Sequence, residues 1–242
     1  MIWVLAPVFN EASGIRDFIK NTSACLQNIG EFRFVLVDDG SSDQTAAIAR
    51  DAVRENDVVL SLAKNSGPGK AFETGMHYFL KHASQDDLLL TLEGDGTADL
   101  SSLPEMIKQI ENADLILASV YLEGGGFSKT SALRLMISHA ANTLSRRWLG
   151  MPYKTLTSFY RLWRYPTLNQ LNKKFNPLIE AKGFICQVEL LYKSHLIKHK
   201  ILEVPTRVYS ERRKGASKMK LISTALSHIS FLLKCRKYKT KY

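Results

Sequence analysis

The sequence predicts an α/β protein built on a mostly parallel, Rossmann-like sheet flanked by helices. Three observations predict it. Apolar runs of strand length recur at residues 2–6, 34–37, 58–62, 88–92 and 115–118. Amphipathic segments alternate with them. Polar clusters follow the strand ends: Asn10 with Glu11, Asp38 with Asp39, and Glu93-Gly94-Asp95. A βαβα order puts helices on both faces of the sheet, and ligands of such sheets bind at the carboxyl ends of the strands.

Each element has its own signal. The N-terminal run lacks a basic flank and is short, so it reads as a buried first strand rather than a signal peptide. Ile15, Phe18, Ile19, Thr22 and Leu26 share one helical face. A second helix is expected to open at Ser42 or Asp43, whose side chains cap free N–H groups. Pro68 marks the start of a third. Further on the pattern is less regular. Residues 130–149 and 187–198 read as helices and 201–209 as a strand. One catalytic-size domain over residues 1–218 is expected, with an appendage over 219–242.

Composition narrows the function classes. The chain has 242 residues, 45% of them hydrophobic and 23% charged, values that exclude disorder, collagen and a coiled-coil rod. No run approaches the roughly 20 apolar residues of a membrane span. Cys25, Cys186 and Cys235 are too far apart for a zinc module or a redox pair, and the six histidines show no ligand spacing. The net charge of +10 is concentrated at the end: residues 193–242 hold 14 Lys/Arg against Glu203 and Glu211, whereas residues 1–192 sum to −2. A basic end on a near-neutral body suits a polyanion, such as an anionic membrane surface or a phosphorylated substrate. No recognisable nucleic-acid module accompanies it, so specific nucleic-acid binding is not expected.

Three constellations carry chemistry. In residues 35–45, VLVDDGSSDQT, a strand delivers Asp38 and Asp39 to its end, where carboxylates can bond a ribose or a base N–H. In residues 64–76, KNSGPGKAFETGM, Gly67 and Gly69 let backbone approach a ligand, and Lys64 or Lys70 can face phosphate; the spacing is not that of a P-loop. In residues 92–100, LEGDGTADL, Glu93 and Asp95 flank Gly94, and extended backbone would point both side chains the same way. Two hard oxygen donors there suit Mg²⁺ or Mn²⁺ together with diphosphate oxygens.

In this order the three motifs resemble those of the family 2 glycosyltransferases with the GT-A fold, in particular the polyprenyl-phosphate sugar transferases. The resemblance spans about residues 1–218. The family's opening P-x-[YF]-N-E matches Pro7, Phe9, Asn10 and Glu11; VDDGS-x-D-x-T matches Val37 to Thr45; N-x-G-x-G-x-A matches Asn65 to Ala71. These positions, with Asp38, Asp39, Gly67 and Lys70, are implied to hold the nucleotide-sugar. The metal motif falls on Glu93 and Asp95 around Gly94, with Thr97 in the third ligand position. Arg134 and Ser138, one helical turn apart, are implied to bind the acceptor phosphate. Residues 183–192 resemble the motif around Gln187 and Glu189. Residues 203–218 resemble an EVP…R-x-x-G-x-SK loop, matched by Arg212, Gly215, Ser217 and Lys218, in which Arg212 and Lys218 would face phosphate.

There are departures. Glu93 replaces the usual Asp, Val120 stands where an Arg is usual, and residues 155–161, TLTSFYR, put Thr155 and Phe159 in place of Asp and Gly. The expected reaction is inverting, metal-dependent transfer of a sugar from a nucleoside diphosphate sugar to a polyprenyl phosphate, on the cytoplasmic face of a membrane. Glu93, Asp95 and Arg212 would carry the catalytic charge. The lost carboxylate at Thr155 agrees with a phosphate acceptor, which needs little base help. Transfer to a glycan or glycolipid hydroxyl and an inactive regulatory subunit are the alternatives. In the appendage, Ile222, Ala225, Leu226, Ile229, Leu232 and Leu233 recur at helical spacing between lysine-rich flanks. That stripe is suited to a membrane interface, to the body of the protein, or to a second copy.

Overall fold

The computed structural model describes residues 1–130, 132–214, 230–235 and 238, and of residues 132–134 the backbone alone. The apolar runs become β1 (Ile2–Val8), β2 (Phe32–Asp38), β3 (Val58–Ser61), β4 (Leu88–Thr91) and β5 (Leu115–Ser119). Between them lie α1 (Ile15–Gln27), α2 (Thr45–Ala52), α3 (Pro68–His82) and α4 (Leu103–Ile110). The second half adds β6 (Gly126–Ser128), α5 (Ala132–Leu149), β7 (Arg161–Arg164), α6 (Tyr165–Lys174), α7 (Cys186–Leu196), β8 (Ile201–Pro205) and β9 (Arg207–Tyr209).

Seven strands form one sheet in the order β3-β2-β1-β4-β7-β5-β8, and β6 pairs with β9 in a small second ribbon. All pairings are parallel except those of β7, which runs antiparallel to β4 and β5. Both faces of the sheet are buried, so each central strand divides its side chains between two cores. Trp3, Leu5, Val35, Val37, Leu89, Leu115 and Leu117 face one side with α3, α6 and α7. Val4, Ala6, Phe34, Leu36, Leu90, Ile116 and Ala118 face the other with α1 and α4. The predicted α1 stripe of Ile15, Phe18, Ile19, Thr22 and Leu26 is the buried face of that helix.

Two expectations are corrected. The second helix begins at Thr45 rather than at Ser42 or Asp43; Asp43 instead forms a turn, its Oδ1 accepting the Thr45 N–H at 2.9 Å. The expected strand over 201–209 is interrupted at Thr206, whose N–H bonds Ser119 O at 3.0 Å. The chain thereby leaves the main sheet, and β9 joins β6 instead.

Most of the appendage, including Ile222, Ala225, Leu226 and Ile229, lies outside the described residues. Where it is described, it packs on the body. Phe231, Leu232, Cys235 and Tyr238 belong to the core on the α3–α7 side, and Trp148 Nε1 donates to Leu232 O at 2.9 Å. Leu233 faces solvent. The Tyr238 hydroxyl lies 3.0 Å from both Glu180 and Glu189; burial, then the charge of Glu189, pushes its pKa far up.

Glu189 is the centre of this region. It and Lys193, one turn apart on α7, form a fully buried ion pair at 2.6 Å. Glu189 also accepts the N–H of Glu180 at 3.0 Å and of Ala181 at 2.8 Å, and Lys193 donates to Leu178 O at 2.8 Å. Breaking such a pair from one side leaves a charge stranded in the core. Lys193→Met is therefore expected to lower the unfolding free energy by about 3–5 kcal/mol. In urea titrations the double variant Glu189→Gln/Lys193→Met should be the more stable of the two, because a neutral amide oxygen still accepts the N–H groups of residues 180 and 181.

Candidate active site

The site forms where β1, β2 and β4 end side by side. Val8 is opposite Asp38, and Leu5 is opposite Thr91, so the chain segments after these three strands emerge at one edge. The β1 loop is held to the β2 loop. Asn10, in the left-handed region at φ 51, donates its N–H to Ser41 Oγ at 2.9 Å, and its Oδ1 accepts the Ser42 N–H at 2.8 Å. The Glu11 N–H donates to Thr45 Oγ1 at 2.7 Å, which leaves the Glu11 carboxylate near the acidic pair described below. Pro7 and Phe9 lie on and just after β1.

The two aspartates after β2 have different partners. Asp38 Oδ1 accepts the Ser41 N–H at 3.2 Å and shapes its own turn. Asp39 reaches the glycine turn: Oδ1 accepts the Ser66 N–H and Oδ2 the Gly67 N–H, each at 2.8 Å. Burial raises its pKa, and the two N–H groups work in the opposite direction. Gly67 has φ +87, and a Cβ there would meet Lys182 O; a Cβ on Gly69 would meet Ala181 O. The loop held by Glu189 is thus the backing of the glycine turn. Asn65 is exposed beside it. Lys70 pairs with Glu73 on its own helix at 3.0 Å, with its side chain still largely exposed.

After β4 the chain turns at Gly94 and Asp95 rather than running extended as expected, and the Glu93 and Asp95 side chains still reach the guanidinium of one arginine. Gly94 is buried between them where a Cβ would strike the Val8 side chain. Asp95 Oδ1 accepts from Thr97 N at 3.0 Å and Thr97 Oγ1 at 2.8 Å. Thr97 thus braces Asp95, with its hydroxyl proton committed to that carboxylate. The arginine is Arg213, which was not singled out from the sequence. Arg213 Nε donates to Asp95 Oδ2 at 2.9 Å, its Nη2 contacts the same oxygen, and Nη2 lies 3.9 Å from Glu93. Burial disfavours its charge, but Asp95 and Glu93 outweigh that and raise its pKa. Arg212 stacks 3.9 Å over the Tyr209 ring. It still lines the adjoining cleft of about 660 Å³ with Asp17, Phe18, Asn21, Glu93 and Asp95.

Of the implied acceptor residues, Arg134 lies in α5. Ser138 Oγ is 3.0 Å from the Tyr121 hydroxyl just beyond β5. Gly215, Ser217 and Lys218 lie outside the described residues. Thr155, in place of the usual acid, is buried with its hydroxyl 2.7 Å from Ser119 Oγ and its N–H on Glu203 at 2.9 Å. Arg213 and Tyr121 are the additions to the predicted set. The basic run at 212–214 signalled a cation, but nothing local distinguished Arg213 from Arg212.

A mostly parallel sheet flanked by helices, with the paired acids after β4 and the glycine turn at the same sheet edge, is the GT-A glycosyltransferase fold. Two solved structures with this architecture are glucosyl-3-phosphoglycerate synthase from Mycobacterium tuberculosis in complex with Mn²⁺, UDP and phosphoglyceric acid (TM-score 0.68, 15% identity, 97% of this chain and 78% of that one) and the same enzyme with Mg²⁺ and UDP (TM-score 0.66, 16% identity, 97% and 78%). Residues 3–173 match glycosyl transferase family 2, and the chain belongs to that family. It is a family 2 glycosyltransferase. Among its relatives are the polyprenol monophosphomannose synthase of Mycolicibacterium smegmatis, 29% identical over 221 residues (89% of this chain, 80% of the relative), and the undecaprenyl-phosphate mannosyltransferase of Micrococcus luteus, 29% identical over 220 residues (90% and 87%).

The geometry makes Asp39 the tie between two of the three loops. Asp39→Asn supplies one acceptor oxygen where two N–H groups need acceptors, and leaving one unpaired costs about 1–3 kcal/mol. Hydrogen exchange at residues 64–70 is expected to accelerate while exchange in β1 and β4 stays unchanged.

Proposed function

We propose that this enzyme transfers a sugar from a nucleoside diphosphate sugar to a polyprenyl phosphate, with inversion and with a divalent metal, at the cytoplasmic face of a membrane. The observation that carries the reading is the convergence of the Asn10–Glu11 loop, the Asp39-held glycine turn and the Glu93–Asp95 pair at one sheet edge. The names of the two bacterial relatives supply the acceptor class.

The site residues fit a divalent ion. Glu93 and Asp95 are hard oxygen donors that already converge on one cation, the Arg213 guanidinium. Mg²⁺ or Mn²⁺ there would neutralise charge on the departing diphosphate. The protein's own groups would position the reactants. The β1 and β2 loops and the glycine turn hold the nucleotide, through Pro7, Phe9, Asn10, Glu11, Asp38, Asp39, Asn65 and Gly67, with Lys70 at the edge. Arg134, Ser138, Arg212 and Lys218 orient the acceptor phosphate. One of its oxygens attacks the anomeric carbon from the face opposite the diphosphate. A carbon–oxygen bond forms, the bond to the diphosphate oxygen breaks, and its electron pair leaves with the diphosphate. A phosphate monoester has a second pKa near ~6 and is mostly a dianion at neutral pH, so no proton need be removed. The hydroxyl of Thr155, engaged with Ser119, is consistent with a site that needs no carboxylate base.

Among the described residues no helix is long and apolar enough to cross a membrane. The surface of α5 supports contact with one instead. Met136, Leu144 and Trp148 lie at multiples of four residues along that helix, all exposed, with Leu233 also exposed beside the Trp148–Leu232 contact. Arg147 and Lys234 are exposed nearby in the sequence. Apolar side chains with flanking cations suit an anionic interface. Self-association through the same stripe is a competing use, and a second copy would bury it in solution.

Two measurements test the reading. With labelled nucleotide-sugars, the enzyme should glycosylate polyprenyl phosphate in vesicles in preference to an oligosaccharide, and Asp95→Asn should lower kcat/KM about 100-fold or more. Preference for the oligosaccharide, or an undiminished Asp95→Asn, sinks it. In flotation with anionic liposomes, Met136→Ser/Leu144→Ser should weaken binding about 100-fold or more, since each buried apolar side chain contributes roughly 1.5–3 kcal/mol when fully removed from water. An unchanged partition, or a dimer that dissociates in the variant, assigns the stripe elsewhere.

A further inference from the structure

We propose that Arg213 is the resident counter-cation of the Glu93–Asp95 pair. A divalent ion must displace it, so the ion enters with the nucleotide rather than ahead of it. This rests on the metal use proposed above.

The acid pair has an electrostatic problem of its own. Two carboxylates flanking a glycine and pointing the same way repel each other when nothing lies between them. Arg213 resolves it, with Nε and Nη2 on Asp95 Oδ2 and Nη2 also 3.9 Å from Glu93. Asp95 Oδ1 is occupied on its other side by Thr97. Oδ2 is therefore the oxygen of Asp95 that faces a cation, and Arg213 holds it. A metal ion and this guanidinium compete for the same atom.

The arginine is delivered there by structure on both sides. Upstream, Tyr209 N–H donates to Thr97 O at 2.9 Å, which clips the end of β9 to the residue that braces Asp95. Downstream, Lys214 pairs with Asp17, and its carbonyl accepts from Ser13 Oγ at 3.1 Å. Residues 209–214 are thus anchored at both ends, with Arg213 directed at the acids. The neighbouring Arg212 is turned away onto Tyr209, so the two arginines do separate work.

Displacement requires an alternative partner for a half-buried guanidinium. A diphosphate is such a partner, because it presents paired oxygens that match the planar fork of arginine. A nucleoside diphosphate therefore supplies what the free ion does not: an anion that draws Arg213 off Asp95 as the metal takes its place. The expected behaviour is weak metal binding by the empty enzyme and strong coupling between metal and nucleotide.

The test measures Mn²⁺ binding by electron paramagnetic resonance and calorimetry on the full chain, without sugar donor or acceptor. Arg213→Gln removes the competing charge and keeps a polar side chain; Arg213→Lys keeps the charge. Without nucleotide, Arg213→Gln should bind Mn²⁺ about tenfold more tightly than the natural sequence, within the 5–150-fold span of ordinary site–site coupling, while Arg213→Lys should resemble the natural sequence. Adding UDP or GDP should tighten Mn²⁺ binding to the natural sequence more than to Arg213→Gln. Equal nucleotide-free affinities for the natural sequence and Arg213→Gln overturn the proposal and leave metal dependence standing. Failure of both to bind Mn²⁺ even with either nucleotide overturns the proposal and the metal dependence together.

Discussion

Parallel pairing of β1 with both β2 and β4 is the constraint on which the rest of the molecule depends. In that arrangement the three strands end at the same edge, with Val8 beside Asp38 and Thr91 just two residues short of Glu93. The polar segments that follow are brought together although they are about 30 and 80 residues apart in the chain. Parallel strands must be covered on both faces. The two cores meet that requirement, and they fix the strand ends firmly enough for loops to be positioned against one another. Asp39 then ties the β2 loop to the glycine turn, and Ser41, Ser42 and Thr45 tie the β1 loop to the β2 loop.

The charge distribution follows a related logic. The carboxylates Glu11, Glu93 and Asp95 gather in a protein of net charge +10. The compensating cation comes from sequence 118 residues beyond Asp95. Lys214 adds a second pair with Asp17 on α1. The basic run at 212–214 is therefore partly internal neutralisation rather than free positive surface. Its charges become available to an anionic ligand only by leaving acidic partners, which makes ligand binding there an exchange of ion pairs and not a simple addition. Arg212, stacked on Tyr209 and lining the cleft, is placed differently and can meet a phosphate without such an exchange.

The first half of the fold was legible because its signals are local. Five apolar runs and one amphipathic stripe translate directly into β1 to β5 and α1. The second half was not, for identifiable reasons. β7 reads RLWR, with an arginine at each end, yet Arg161 is wholly buried, donating to Ser158 O and Leu156 O at 2.8 Å each. Burial pushes its pKa down to about 9. Its environment is decided by tertiary contacts that no periodicity encodes. The break at Thr206 has the same origin: the residue bonds Ser119 on a strand 87 positions earlier. In the site, Asn10, Asp39, Glu93 and Asp95 were legible as motifs after strands. The choice of Arg213 over Arg212 was not, because adjacent residues after a short turn point in different directions and only the folded chain selects one.

The buried Glu189–Lys193 pair links two regions that sequence treats as unrelated. Glu189 holds the N–H groups of residues 180 and 181. The carbonyls of Ala181 and Lys182 sit against Gly69 and Gly67, where a side chain would have no room. On its other flank Glu189 meets the Tyr238 hydroxyl at 3.0 Å. One carboxylate thus connects the C-terminal segment to the turn whose N–H groups Asp39 receives. An ion pair so deeply buried is a poor source of stability, since desolvation offsets most of its attraction. Its value lies in geometry: it fixes from inside the core the loop that lies against the glycine turn. Among the described apolar residues of the C-terminal segment, Phe231 and Leu232 complete that core, and Leu233 is exposed, as is Trp148, which bonds the neighbouring Leu232 carbonyl.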